Sequence, residues 1–413
     1  MRFSIHTLGT RGDVQPYLAL ALGLKAKGHD VLLVAPAQFS DAAAARGVEL
    51  ASLPSGFLEL LDAPEVRSVI GNSGAGFGAG FKLLKRYRGL MRPLLDAEWS
   101  AARDFCPDVI LHHPKALGAP HIATRLGVQL FLVSPIPGFT PTAAFPSPVL
   151  PFSSLGPLNR PSHALMIHGA KFLFARTVTA WRKEVLGLTR HQSPARPLGT
   201  LYGYSPSVIT RPSDWGDDVA VTGYWFLDSP DWEPDPELRA FLSAGDPPVY
   251  VGFGSMPGSD PQRLAGVVVD GLRRAGKRGL LATVGGALSP VGVANDIHVI
   301  AGAPHDRLFP LVDAVVHHGG AGTTGAALRA GKPMAICPFI GDQPFWARRA
   351  RELGVGPVVL DKHKMDADAF AGALRALDEP LVRARAGELA QALQSEDGVA
   401  TAITFMERKL KHV

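Results

Sequence analysis

Four short segments carry residue types that could act together on a phosphorylated, hydroxyl-bearing ligand. The first is HHGGAGTTGAALRAGKP, residues 317–333, where the apolar run AVVHH leads directly into Gly319, Gly320, Ala321, Gly322, Thr323 and Thr324. A strand ending there and a helix starting there would turn free backbone N–H groups and the positive end of the helix dipole toward an anion, with glycines permitting close approach. Thr323, Thr324 and His318 add side-chain donors, a set suited to a diphosphate; the same residues would also serve as a turn that packs helix on strand. The second segment, GFGSM at 252–256, is another strand end with glycines and Ser255, able to hold the same phosphate from the other side if both lie at one sheet edge. In the third, PFIGDQPFW at 338–346, Asp342 and Gln343 put a carboxylate beside an amide, the pair that holds neighbouring sugar hydroxyls; an aspartate there is also a common N-cap. The fourth, GTRGDVQP at 9–16, places Asp13 near a helix start. It is either a general base or a carboxylate satisfied by the dipole, and the dipole would make it a base that takes its proton late.

These segments need a scaffold of strands whose carboxyl ends face one cleft. Residues 2–8, 30–36, 107–111 and 128–133 read as buried strands, with helices at 16–27 and about 120–126, so the first part is expected to be a parallel sheet with crossover helices. The rhythm restarts with strands at 248–253, 278–284, 297–301, 314–318, 333–337 and 355–360. This predicts α/β architecture with two doubly wound, Rossmann-like domains: 1–205, a linker at 206–245 marked by Pro, Asp and Trp, 246–395, and a final helix in 396–413 crossing back to the first domain. Two segments break the pattern: the glycine-rich stretch 71–81 and 135–161 with its eight prolines, both expected to be long surface loops, either walls over a ligand or mobile insertions.

Composition narrows the classes. The chain has 413 residues, 46% hydrophobic and 19% charged, with 45 Gly and 35 Pro, a globular balance rich in turns. Its two cysteines, Cys106 and Cys337, support neither a disulfide framework nor a cysteine zinc site and fit a reducing cytoplasm. The start, MRFSIHTLGTRGD, reaches Gly9 and Asp13 without the apolar run of a secretory signal, and no stretch of 18 apolar residues exists for a membrane span. The formal charge of +5 comes from scattered Lys and Arg, so no nucleic-acid partner is expected. GxxxxGK[ST], G-x-S-x-G and H-E-x-x-H are all missing, which removes the P-loop, hydrolase-elbow and zincin readings, and no metal site is expected.

Together, GTRGDVQP, HHGGAGTT and PFIGDQPFW, with PKALGAPHIATRLG at 114–127, PIPGFTPT at 135–142 and APHDRLFP at 303–310, resemble the UDP-glycosyltransferase superfamily, in its sterol glucosyltransferase and antibiotic glycosyltransferase branch. The likeness covers nearly the whole chain. It implies the GT-B fold and an inverting, metal-independent transfer of a hexose from a nucleotide sugar to a hydroxyl, with no cofactor beyond that co-substrate. On that pattern Asp13 is the general base, Ser255, His318, Gly320, Gly322 and Thr323 hold the diphosphate, and Asp342 and Gln343 hold the sugar. Ala303 and His305 lie at the nucleobase. Relatives of the plant type stack uracil on a tryptophan; here Gly302 stands before Ala303, His305 replaces their glutamine and Ala326 their ribose-binding glutamate, so UDP-glucose is the expected donor and dTDP-sugars stay open.

The acceptor is read from aromatics in the two irregular segments. Phe139, Phe145 and Phe152, with Phe77 and Phe81, would form a wall for a flat lipophilic alcohol or phenol such as a sterol, polyketide, macrolide or flavonoid, or else belong to the core. A sugar-nucleotide epimerase of the same fold, or a non-catalytic nucleotide-sugar or lipid-surface protein, is the alternative. A cytoplasmic monomer or weak homodimer, with membrane contact at most peripheral, completes the expectation.

Overall fold

The computed structural model describes residues 1–56, 77–256, 258, 260–292 and 294–411, without the side chains of 77–88 and 170. Near-continuous apolar runs such as VLLVA and VIL form strands covered on both faces, as parallel sheets require. The first sheet contains β1 (Arg2–His6), β2 (Asp30–Pro36), β3 (Glu49–Leu53), β4 (Val109–His112), β5 (Gln129–Ser134), β6 (Gly199–Tyr202) and β7 (Val219–Val221), in the order β3-β2-β1-β4-β5-β6-β7. The second contains β8 (Val249–Gly252), β9 (Gly279–Ala282), β10 (Ile297–Ile300), β11 (Val315–His317) and β12 (Met334–Ile336), in the order β10-β9-β8-β11-β12. Every pairing is parallel. Strand order reverses between β1 and β4 and between β8 and β11, and ligands of open α/β sheets bind outside the strand ends at such points.

The final helix, Gly398–Leu410, lies on the first domain and buries Ala402, Ile403, Phe405 and Met406 beside Leu20, Leu24 and Leu201. Gly23 admits it, since a Cβ there would stand 2.2 Å from Val399 Cγ1.

Three expectations are corrected. Residues 77–81, read as loop, begin a 29-residue helix, Phe77–Phe105; residues 71–76 lie outside the described set. The segment 355–360, read as a strand, makes a single bridge between Ile336 and Val359, because Pro357 has no N–H to add to a ladder. The stretch read as linker contributes β7 and buries Val208, Trp215, Tyr224 and Trp225, with Trp215 stacked 5.0 Å from Tyr202, so it is packed structure along much of its length. The proline-rich segment 135–161 is irregular apart from short helical turns beginning at Gly156. It is pinned rather than loose: Asp214 accepts from Thr142 Oγ1 (2.7 Å) and from the Ala143 N–H (2.9 Å).

Candidate functional site

Strand order assembles the first-domain half of the site. β1 and β4 are neighbours, with His6 opposite His112, so the residues following each strand meet at the sheet's switch point. From the β1 side comes helix Arg11–Ala26, with Asp13 in its first turn. From the β4 side come His113 and Lys115. The Asp13 carboxylate receives the Lys115 ammonium at 2.8 Å and faces His113 Nε2 at 3.4 Å on Oδ1, while Oδ2 accepts the Thr10 N–H at 3.0 Å. Gly9, at φ +141°, is required beneath it, because a Cβ would lie 2.0 Å from Asp13 Oδ2.

The protonation of this cluster follows from its geometry. The Lys115 backbone N–H donates to His113 Nδ1 at 3.0 Å, so that nitrogen carries the lone pair and the ring proton sits on Nε2, aimed at Asp13. Burial drives the His113 pKa down against the opposing pull of Asp13, which keeps the ring neutral. For Asp13, burial alone would raise the pKa; the Lys115 charge and the hydrogen bonds from His113 and Lys115 reverse this and hold the carboxyl well below the usual range. Asp13 is therefore ionised and oriented, with its side chain 16% exposed toward the cleft. His113 and Lys115 have no assigned role in the sequence reading, although Lys115 stands inside one of its quoted motifs.

The second half repeats the construction. β8 and β11 are neighbours, with Gly252 opposite His317, so GFGSM and HHGGAGTT meet at the second switch point. A Cβ on Gly254 would come within 2.8 Å of the His318 ring and one on Gly320 within 2.5 Å, so these two glycines make the slot in which the imidazole lies. Ser255 is exposed at the rim, and Gly320 is the N-cap of helix Ala321–Arg329 with no side-chain cap. Gly322 is exposed and Thr323 half-buried at that helix start. His318 Nδ1 is buried without a partner, and burial lowers the ring pKa to about 4, so His318 offers hydrogen bonds rather than charge. His317 turns to the other face, where Nδ1 accepts the Gly319 N–H at 3.1 Å. Thr324 is corrected: its hydroxyl donates to Gly320 O at 2.9 Å inside the helix and is spent there.

Asp342 and Gln343 follow β12. Asp342 occupies the N-cap position of helix Gln343–Glu352 without capping it; Oδ2 accepts the Trp346 indole N–H at 2.7 Å instead. Burial raises the Asp342 pKa against that hydrogen bond, and Asp13 and Lys115 act on it from the other domain, so the two halves face each other across one cleft. Gln343 departs from its expected role. Its Oε1 accepts the N–H groups of Phe339 (2.7 Å) and Ile340 (3.0 Å), Nε2 points to Met256 Sδ at 3.3 Å, and the residue is 5% exposed, so its amide shapes the turn below Asp342.

Around these lie the remaining candidates. His305 stacks on Phe309 at 4.3 Å and stands edge-on to Tyr250, with burial, Arg11 and His318 lowering its pKa to about 3; Ala303 packs beside the core. Arg11 is a further residue that sequence reading passed over. It is exposed, hydrogen-bonded through Nε to Gln15, and close enough to the second domain for its charge to act on His305 and Tyr250. The aromatic wall is only partly assembled. Phe139 is half-buried, its N–H donating to Tyr202 OH at 3.2 Å. Phe145 reaches across to Phe345, 5.9 Å between centroids, and joins the core; Phe152 points outward, 51% exposed. The side chains of Phe77 and Phe81 lie outside the described residues. Among the described residues no group of three or more His, Cys, Asp or Glu side chains is placed to hold a metal ion.

Residues 3–145 match the glycosyltransferase family 28 N-terminal domain, and residues 287–403 match the erythromycin biosynthesis protein CIII-like C-terminal domain. A sterol 3-beta-glucosyltransferase of Arabidopsis thaliana is 35% identical over 99% of this chain and 68% of its own length. One of Neosartorya fischeri is also 35% identical over the full chain, which spans only 30% of that larger protein. Among solved structures, a calicheamicin glycosyltransferase superposes with a TM-score of 0.72 at 20% identity, covering 100% of this chain and 98% of its own.

Proposed function

The chain belongs to the GT-B glycosyltransferases, in the family of the sterol 3-beta-glucosyltransferases, and we propose that it transfers glucose from UDP-glucose to the hydroxyl of a sterol or similarly flat lipophilic alcohol, inverting the anomeric centre without a metal ion. The observation that carries this reading is the facing pair of switch points, an ionised and oriented carboxylate on one and an uncapped helix N-terminus beside His318 on the other.

The reaction balances with these groups. The acceptor oxygen forms a bond to the sugar C1 as the bond from C1 to the diphosphate oxygen breaks, and the leaving diphosphate keeps the electron pair. The hydroxyl proton passes to Asp13. Because that carboxylate is a weak base, transfer comes late, when the attacking oxygen already carries positive charge. His113 cannot relay the proton, since Nε2 already bears one and Nδ1 is engaged by the Lys115 N–H; it orients the carboxylate instead. Negative charge growing on the diphosphate meets the N–H groups at Gly320–Gly322, a donor from His318, and the guanidinium of Arg11. Asp342 Oδ1 is left to accept from sugar hydroxyls, its other oxygen being fixed by Trp346. The segment carrying Ala303 and His305 takes the nucleobase, and the segment carrying Phe139 and Phe145 takes the acceptor.

The test is a mass-spectrometric screen of the purified protein with UDP-glucose and with dTDP-glucose against pooled sterols, macrolides and polyphenols, with and without EDTA. A sterol product heavier by one hexose, formed from UDP-glucose and unaffected by EDTA, is expected. Loss of product with EDTA, or nucleotide-sugar binding with no transfer to any lipophilic alcohol, would overturn it.

A further inference from the structure

Among the described residues, exposed large apolar side chains are densest in one run of chain. Val149, Phe152, Leu158, Leu165 and Phe172 all fall within residues 149–172, with Phe172 87% and Leu158 62% exposed. Leu165 and Phe172 are seven apart on helix Ala164–Glu184, and Arg176 is four further on, so the three lie along one stripe of that helix. Isolated exposed apolar residues need no explanation, but a concentration of them marks a contact surface.

The charge around this run selects the partner. Between Asp108 and Glu184 there is not one Asp or Glu, while the same interval holds seven Lys and Arg. Arg160, Lys171 and Arg176 are exposed; none lies within ion-pair distance of a carboxylate among the described residues, though the charge of Arg160 acts on Asp214, which pins the segment from below. Protruding Phe and Leu flanked by cations, with no carboxylate in the segment itself, suit the headgroup layer of an anionic bilayer, where rings enter the acyl boundary and cations meet lipid phosphates and carboxylates. A protein partner would ordinarily present a surface with both signs of charge.

The run is also tied to the cleft. His163, just before the helix, lies between two carbonyls of the proline-rich segment, Nε2 3.1 Å from Phe145 O and Nδ1 3.3 Å from Gly138 O, and donates its ring N–H to one of them, and Met166 abuts Gly138. Phe145 in turn touches Phe345 of the second domain. We propose that residues 149–176 form a peripheral docking surface for anionic lipid bilayers, seated at the mouth of the cleft. The binding itself is independent of the glycosyl-transfer reading, because it needs neither Asp13 nor the donor.

The experiment is flotation of the whole chain with large unilamellar vesicles of phosphatidylcholine, pure or with 30% phosphatidylserine, at 50 and 500 mM NaCl. The wild type is expected to float with the anionic vesicles at low salt and to be released at high salt. Arg160→Ala with Arg176→Ala should weaken partitioning by about fivefold per cation removed. Leu165→Ser with Phe172→Ser should weaken it at least tenfold at both salt concentrations, and thermal melting and UDP affinity are controls for folding. Equal flotation of wild type and both variants, or no flotation of the wild type, would overturn the proposal. So would a wild-type dimer in sedimentation velocity that the apolar variant dissociates, since the occupant would then be a second copy of the chain.

Discussion

Replacing Lys115 by Met tests how Asp13 is tuned. The ammonium lies 2.8 Å from Asp13 Oδ1 with the lysine side chain 46% exposed. At that separation two unit charges interact by about 1.5 kcal/mol in a water-like dielectric and about 3 kcal/mol at an effective value of 40. Exposure favours the lower figure. At about 1.4 kcal/mol per pH unit, removal of the charge raises the Asp13 pKa by about one to two units. The base must be ionised, so a depressed pKa lets the wild type keep kcat/KM constant as pH falls through the ordinary carboxylate range. In Lys115→Met the acid limb should move up by that amount, while Lys115→Arg should restore it. The assay is kcat/KM from pH 2 to 8.5 with UDP-glucose and a soluble steroid alcohol, with folding checked by circular dichroism at each pH. An acid limb unchanged in Lys115→Met would refute the reasoning, as would a shift of equal size in Lys115→Arg.

Three further outcomes follow from the geometry. Gly320→Ala keeps an ordinary backbone, φ −65°, but puts a Cβ 2.5 Å from His318 Nε2; UDP affinity by calorimetry should fall at least tenfold with thermal stability nearly unchanged. His318→Ala should lower UDP affinity and kcat together, by about ten- to a hundredfold, the range for a hydrogen bond to a charged group. Glu98 is buried beside Gly118, and burial raises its pKa to about 8 from an ordinary 4.5. A carboxyl raised in the folded state contributes stability below its unfolded pKa and loses it as pH rises through the folded one, so wild-type stability should decline between about pH 4.5 and 8 by at most about 1.4 kcal/mol per pH unit. In Glu98→Gln urea melts should lack that decline, and parallel curves for the two proteins would contradict the burial argument.

The sheets were legible in the sequence because parallel strands covered on both faces are continuous apolar runs, as in DVLLVAP and AVVHH, the second of which stops at Gly319. The pairing of GFGSM with HHGGAGTT was legible for the same reason, since both end strands of one sheet. Lys115 and His113 were not, because their meeting with Asp13 depends on β1 lying next to β4, a fact of strand order that no local pattern carries. Gln343 misled for a related reason: its partners are the backbone N–H groups of residues 339 and 340, which look alike in every sequence. The helix at 77–105 was hidden by glycines of low propensity, outweighed by packing of its later turns, where Leu94 and Leu95 are buried.

Asp13 as the group that takes the acceptor proton, with donor bound independently by the opposite half of the cleft, is tested by measuring sterol glucosylation and UDP affinity on the same preparation of Asp13→Asn. Transfer is expected to fall at least about a hundredfold, the range for loss of a general base, with UDP affinity within about twofold of wild type. Transfer near the wild-type rate, or loss of UDP binding in step with transfer, would contradict it.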